Sequence, residues 1–153
     1  MLKLTALALG IVFLISASTA QTPPKFTKMD VMFSTGGDDK NPDTRLELFI
    51  TDHDGAPAVA YGDVQGQGCP NNNPCGPFTA NPVAGGFPLK DYKTEKVIVK
   101  ITPPHNDTWD FSFIATLHFS DGTIVQLSVP ATSLNQDTRT GVYSLANAVK
   151  QTP

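Results

Sequence analysis

Three aspartates sit within one short glycine-containing loop. Asp38, Asp39 and Asp43 fall in Gly36-Gly37-Asp38-Asp39-Lys40-Asn41-Pro42-Asp43. Carboxylates close in sequence are what a hard cation such as Ca²⁺ selects, completing its shell with backbone carbonyls and water. The spacing is not that of an EF-hand loop. Gly, Asp, Asn and Pro are also the ordinary residues of turns, so a plain turn is the competing reading. Asp107 and Asp110 form a second acidic pair, spaced so that a small glycosidase could use them as acid and base. Three histidines, His53, His105 and His118, lie in a turn, after a proline pair and on the polar side of an alternating stretch. No serine stands in a Gly-x-Ser-x-Gly elbow and no His-Glu-x-x-His pair is present. These residues favour a chain that binds over one that catalyses.

Cys69 and Cys75 bracket Pro-Asn-Asn-Asn-Pro. Residues 1–20 have Lys3, an apolar run and then Ser18-Thr19-Ala20, the pattern of a secretory leader. That run is short for a membrane span, which needs about 20 residues. In a secreted chain the two cysteines are read as a disulfide. So small a ring contributes about 2 kcal/mol on the loop-entropy account. The expected location is extracellular, or periplasmic in a Gram-negative bacterium. Asn106-Asp107-Thr108 is a glycosylation acceptor, at Asn106, if the source is eukaryotic.

Net charge over the 153 residues is −3. Removal of Lys3 with the leader makes the remainder more negative. The only arginines are Arg45 and Arg139, and no basic patch is visible, so nucleic acid is excluded as the expected partner. The rest of the chain has a length that suits one domain.

The elements that must position these residues read as strands. From Trp109 to Phe119 the odd positions are Trp109, Phe111, Phe113, Ala115, Leu117 and Phe119, and the even ones are mostly polar. Such period-two alternation predicts a half-buried strand with its aromatic face inward. Parity puts Trp109 in the core rather than on a sugar-stacking surface. Ser-Asp-Gly-Thr then predicts a turn into a partner strand over 123–129. Further strands are predicted over 26–35, 45–52, 58–64 and 93–102, with a last one at 142–145. Asp52-His53-Asp54-Gly55 reads as a turn. Residues 62–91 carry both cysteines and many glycines and prolines, and read as one long loop. A structureless stretch of that length is unusual, so it is either functional or hides a short strand around Gly76-Pro77-Phe78 or Phe87-Pro88-Leu89. There the prolines point to an edge position. The expected fold is all-β: a single antiparallel β-sandwich of about seven or eight strands over residues 21–153.

Two stretches together resemble a family. Met29-Asp-Val-Met-Phe-Ser-Thr-Gly-Gly-Asp-Asp39, with Thr44 and a strand ending in Asp-Gly, is similar to the start of a PLAT domain (polycystin, lipoxygenase, alpha-toxin). Asp107-Thr-Trp-Asp-Phe-Ser-Phe-Ile114 resembles the tryptophan-led strand of that family. The resemblance implies an accessory sandwich that binds membranes or partner proteins, in some members with loop-bound calcium. It places Asp38, Asp39 and Asp107 at one acidic site, which with Asp43 makes four candidate calcium ligands. Seven strands in simple up-and-down order would put Asp38 and Asp107 at opposite ends. An extra strand within 62–91 would bring them together.

The resulting expectation is a secreted, non-enzymatic binding module, with calcium as the candidate cofactor. It would recognise a lipid, glycan or protein surface through loops at one end. Two alternatives remain. One is a small hydrolase using Asp107, Asp110 or a histidine. The other is an extracellular interaction protein without a small ligand, its contact surface the long disulfide-pinned loop 62–91, which an exposed apolar patch on 76–89 would favour.

Overall fold

The computed structural model describes residues 21–51 and 58–151. The predicted leader and the turn containing His53 lie outside the described residues. Among the described residues the regular structure is nearly all strand: β1 Phe26–Thr35, β2 Arg45–Thr51, β3 Ala60–Val64, β4 Pro74–Pro82, β5 Lys96–Thr102, β6 Thr108–Phe119, β7 Ile124–Asn135, β8 Thr140–Ser144 and β9 Val149–Gln151. Two short 3₁₀ segments, Leu89–Thr94 and Leu145–Asn147, interrupt it.

All nine strands join one antiparallel sheet in the order β8-β5-β2-β3-β4-β1-β6-β7-β9. The all-β antiparallel expectation is met, with one continuous curled sheet and two strands more than the lower estimate. The join between its halves is narrow, since β3 and β4 are paired only at Ala60↔Pro82 and Tyr61↔Asn81. Beyond that point the backbones remain close. A Cβ on Gly62 would come within 2.5 Å of the Thr79 carbonyl oxygen, so only glycine fits. The sheet curls about its core. Phe113 of β6 and Tyr143 of β8, far apart in sheet order, meet ring edge to face at 4.9 Å. The two edge strands, β8 and β9, are also consecutive in the chain, so the sheet's edges lie near each other.

Alternation on β6 is as the sequence predicts. Trp109, Phe111, Phe113, Ala115, Leu117 and Phe119 are all buried. Phe33 packs against Trp109, Phe111 and Phe113 at 4.7, 5.4 and 5.5 Å. Burial of such rings supplies the bulk of the stabilisation, about 25 cal/mol per Å² of apolar surface.

The stretch 62–91 contains a strand after all. β4 lies in the sheet interior, between β3 and β1, rather than at an edge. Its proline is accommodated by a bulge. Val31 pairs with Phe78 and Phe33 with Cys75, so Met32 faces both Gly76 and Pro77. A residue without an N–H can sit inside a sheet where the ladder is already broken. Gly76 has φ of 115° and a Cβ there would meet the Val31 carbonyl oxygen at 2.7 Å. β7 repeats the device. Phe111 pairs with Thr132 and Phe113 with Val129, so Ser112 faces both Pro130 and Ala131. The strand therefore runs on through Pro130 to Asn135 instead of stopping at Val129. The predicted strand at 93–102 is shorter than expected, because residues 89–94 form a 3₁₀ turn.

A candidate binding surface at the loop end

Strand directions put four connections at one end of the sheet: 36–44, 65–73, 103–107 and 136–139. Because β1 and β6 are antiparallel neighbours, the end of β1 lies beside the start of β6. The interior position of β4 thus brings the Asp38 and Asp107 regions to the same end.

Three of these connections, 36–44, 65–73 and 103–107, are tied to one another. Gly36 N donates to the Asp110 carbonyl at 2.6 Å and Asp110 N to the Asp38 carbonyl at 3.1 Å. Lys40 and Cys69 exchange two backbone hydrogen bonds, at 3.2 and 2.9 Å. Thr35 N donates to the Asn73 carbonyl and Asn72 N to the Gly36 carbonyl. Cys69 is bonded to Cys75, with Cα atoms 5.3 Å apart.

Beneath this surface lie two buried side chains of opposite charge, Lys40 and Asp107, each held by its own hydrogen bonds. The Lys40 side chain is fully buried, and its Nζ donates to the Thr44 carbonyl at 2.7 Å and the Asn41 carbonyl at 3.1 Å. Burial pushes the Lys40 ammonium below its usual range, and the charges of Asp107 and Asp43 counter part of that effect. Asp107 is also buried. Its carboxylate accepts from Thr44 Oγ1, from Asn41 N at 3.3 Å and from Asn41 Nδ2 at 3.2 Å. Asp107 therefore serves to order the 36–44 loop.

The four candidate calcium ligands share one end but do not converge. Asp38 and Asp43 are exposed, Asp39 is half-buried, and Asp107 is turned inward onto Thr44 and Asn41. Among the described residues no three His, Cys, Asp or Glu side chains are grouped to hold a metal ion. Asn106 is exposed and lines a shallow polar depression with Asp107, Asn135, Gln136 and Asp137. Trp109 is wholly buried and donates from Nε1 to Thr35 Oγ1 at 3.3 Å, which removes it as a sugar platform.

The residues of the hydrolase alternative are dispersed. Asp110 is half-buried at the start of β6 and His105 is exposed in the preceding loop. His118 lies on the outer face, where its Nε2 is 3.1 Å from Asp30 Oδ2. Within 76–89, Phe78, Phe87 and Leu89 are buried, and Val83 is the exposed large hydrophobic residue.

Two features carried no usable sequence signal. Lys40 looks like any loop lysine; its burial follows from the backbone bridge to Cys69, a contact across 29 positions. The second is a charge network on the outer face of β2, β3 and β5. Arg45 holds Asp63 through two hydrogen bonds, at 3.0 and 2.8 Å, and Tyr61 OH at 2.9 Å. Glu47 accepts from Tyr61 OH at 3.2 Å and pairs with Lys100 at 2.9 Å. The hydrogen bond from Arg45 holds the Asp63 carboxyl below its usual range despite some desolvation. Outward parity on each strand could have supplied these residues, but only the register of β2 with β3 and β5 joins them.

The opposite end differs in chemistry. A groove of about 350 Å³ there is floored by Pro23, Pro24, Leu89 and Tyr92 and rimmed by Lys90, Lys93 and Lys150.

Comparison with protein-family models, curated protein sequences and solved structures returns no match.

Proposed function

We propose that the protein is a secreted, non-enzymatic binding module whose loop end recognises a polar extracellular surface, a glycan or a protein. The observation that carries this reading is the cross-locking of the loop end. A disulfide, a two-way backbone bridge and the hydrogen bonds of buried Lys40 and buried Asp107 fix loops that have no strand of their own there. Preorganised loops lose little conformational entropy on association, which is how rigid recognition surfaces gain affinity. The exposed polar groups include Asp38, Asn41, Asp43, Asn71, Asn72, Asn73, Asn106 and Asp137, with His105 and Arg139 beside them. Amide and carboxylate groups suit hydroxyl-rich or cationic partners, and the absence of large apolar groups from that set counts against lipid acyl chains. The two stretches behind the PLAT resemblance meet here, since Gly36 and Asp38 bond to Asp110. That agrees with a loop-end binding site without requiring calcium. The disulfide suits an oxidising compartment, and no helix among the described residues is long and apolar enough to cross a membrane.

The test uses labelled protein on an array of immobilised glycans and extracellular-matrix proteins. Signal lost in Asp38→Lys/Asp43→Lys and kept in a control on the distant outer face, Ile114→Ser, supports the reading. Signal indifferent to the loop substitutions but lost in the control moves recognition to the sheet face.

A further inference from the structure

The two edges of the sheet are not equivalent. On one side the edge is β9, three exposed residues that carry Lys150, a charge of the kind that blunts an edge against pairing, and beyond it residues 127–135 of β7, where Pro130 interrupts the donors. β8, Thr140-Gly141-Val142-Tyr143-Ser144, has five residues, with neither charge nor proline. Its inner side pairs with β5 from Lys96↔Ser144 to Lys100↔Thr140.

Two hydrogen bonds fix which backbone groups β8 leaves free. Ile101 N donates to the Arg139 carbonyl at 2.8 Å, and Leu145 N donates to the Glu95 carbonyl at 3.0 Å. In an antiparallel ladder the N–H and C=O of one residue point the same way, and successive residues alternate. Residues 139, 141, 143 and 145 therefore bond toward β5. Thr140, Val142 and Ser144 direct their N–H and C=O groups to the open side.

We propose that this edge is a self-association site: β8 pairs antiparallel with β8 of a second copy, about a twofold axis at Val142. That register is self-complementary. Val142 faces Val142 of the second copy, and each Thr140 faces a Ser144, so no like charges meet across the axis. All three outward residues are used, giving about six backbone hydrogen bonds. A partner strand of arbitrary sequence could satisfy the same backbone groups, but a second copy also matches the side chains. Tyr61, Phe49, Ile98 and Val142 stand opposite one another on β3, β2, β5 and β8 and form a row across the outer face. Phe49 and Tyr61 are in ring contact at 5.2 Å. The row stops at Val142, which is 57% exposed. In the dimer it runs unbroken from Tyr61 of one copy to Tyr61 of the other. The nearest lysines in the same rows, Lys100 and Lys96 of the other copy, are three strand spacings apart, ~14 Å. That exceeds the Debye length of about 8 Å at physiological salt.

Antiparallel pairing points the two loop ends in opposite directions. If the loop end binds as proposed above, the dimer is a bivalent bridge between two surfaces. The self-association stands or falls independently of that reading.

The contact is small, and the dimer is reversible. Sedimentation equilibrium of the purified chain over about 10 µM to 1 mM is expected to show the average mass rising from one chain toward two. Val142→Lys should stay at one chain mass throughout, while Val149→Lys on the opposite edge should follow the wild type. Because both positions are exposed, both variants should retain the wild-type circular dichroism. A short bismaleimide should cross-link Val142→Cys into a dimer and leave Val149→Cys uncross-linked. A wild type at one chain mass over the whole range overturns the proposal. So does a dimer indifferent to Val142→Lys, or one that fails to cross-link through Val142→Cys.

Discussion

The two ends of this sheet solve the same problem with different materials. At the loop end, chain that is not strand is fixed by polar and covalent means: the Cys69–Cys75 bond, the Lys40–Cys69 bridge and the hydrogen bonds made by the buried Lys40 and Asp107 side chains. At the other end the 83–95 connection is fixed by rings. Phe87 stacks on Phe26 at 4.9 Å, nearly parallel, and both meet Phe119 at 5.9 and 6.2 Å. There Phe26 N bonds to the Phe87 carbonyl and Leu89 N to the Pro24 carbonyl. The difference lies in what each leaves for the surface. Anchoring by buried rings requires apolar residues in the loop. Anchoring by buried polar side chains and a disulfide leaves the loop free to be polar outside, as Asn71 to Asn73 and Asp38 are. A surface meant for a polar partner is more naturally built the second way.

The largest expected effect tests the polar anchor. Lys40→Ala would leave the Thr44 and Asn41 carbonyls without their lysine donor and a cavity where the buried stem packs. Acceptors left unsatisfied at about 1–3 kcal/mol each, with the lost stem, come to about 4 kcal/mol. Urea unfolding should show a midpoint shift of that order with the slope unchanged. A loss under about 1 kcal/mol would mean that Lys40 behaves as a surface lysine. Lys40→Met, which keeps much of the volume and removes the donor, should destabilise less, by the share owed to the hydrogen bonds alone.

The apolar anchor comes next. Phe87→Ala removes a ring that is 6% exposed and stacked on Phe26. Truncation of a buried phenylalanine costs about 3 kcal/mol or somewhat more. Proteolysis after this change should begin in the 83–95 connection, whereas in Lys40→Ala it should begin in 36–44. Identical first cleavage sites in the two variants would dissolve the distinction between the ends.

Replacing both cysteines by serine should cost about 2 kcal/mol, the entropy of a closed ring of this size. The melting temperature should fall while the far end retains its amide protection. Calcium sharpens the same point. Asp107 already accepts three hydrogen bonds from Thr44 and Asn41, which an ion claiming its carboxylate would have to displace. Melting curves in calcium and in chelator are expected to coincide. A gain near 2.7 kcal/mol at a hundredfold excess over the dissociation constant would show that an ion does bind, and would return Asp38, Asp39 and Asp43 to the ligand set.

What could be read in the sequence follows from how local each signal is. The β6 alternation is a property of twelve consecutive residues, and every inward assignment agrees with the structure. β4 was legible only as a short edge strand around Gly76-Pro77-Phe78, and the second half of β7 not at all, because proline normally ends a central strand, and here Pro77 and Pro130 sit at bulges that depend on the neighbouring strand. Thr132 and Leu134 belong to β7 only because β6 continues alongside them. The acidic loop was visible as a feature, but its meaning was not. Asp107 faces Thr44 across 63 positions, and nothing in Asn-Asp-Thr says that its carboxylate points inward. Cys69 and Cys75 were legible as a pair, and Lys40 as their neighbour was not.

The smallest effect concerns acid. Asp30, on the outer face of β1, is pushed up by burial, but hydrogen bonds from Lys28 and Thr79 and the charges of Lys28 and His118 outweigh this and hold it below its usual range. Asp121, in the turn at the ring-anchored end, is held low chiefly by the Thr123 amide, which donates to it at 3.0 Å. A carboxyl depressed in the folded state contributes stability that is complete above its unfolded pKa, about 3.9. That contribution is lost as pH falls through the folded value. Acid should therefore loosen the 120–123 turn while the loop end keeps the disulfide and its backbone bridges, which do not titrate. Amide exchange by NMR, corrected for the intrinsic rate, should show protection at Thr123 declining below pH 4 or so, with Asn72, bonded to the Gly36 carbonyl, still protected. Asp121→Asn should remove the pH dependence at Thr123 and leave Asn72 unchanged. If Asn72 lost protection first, the loop end would be the weaker of the two.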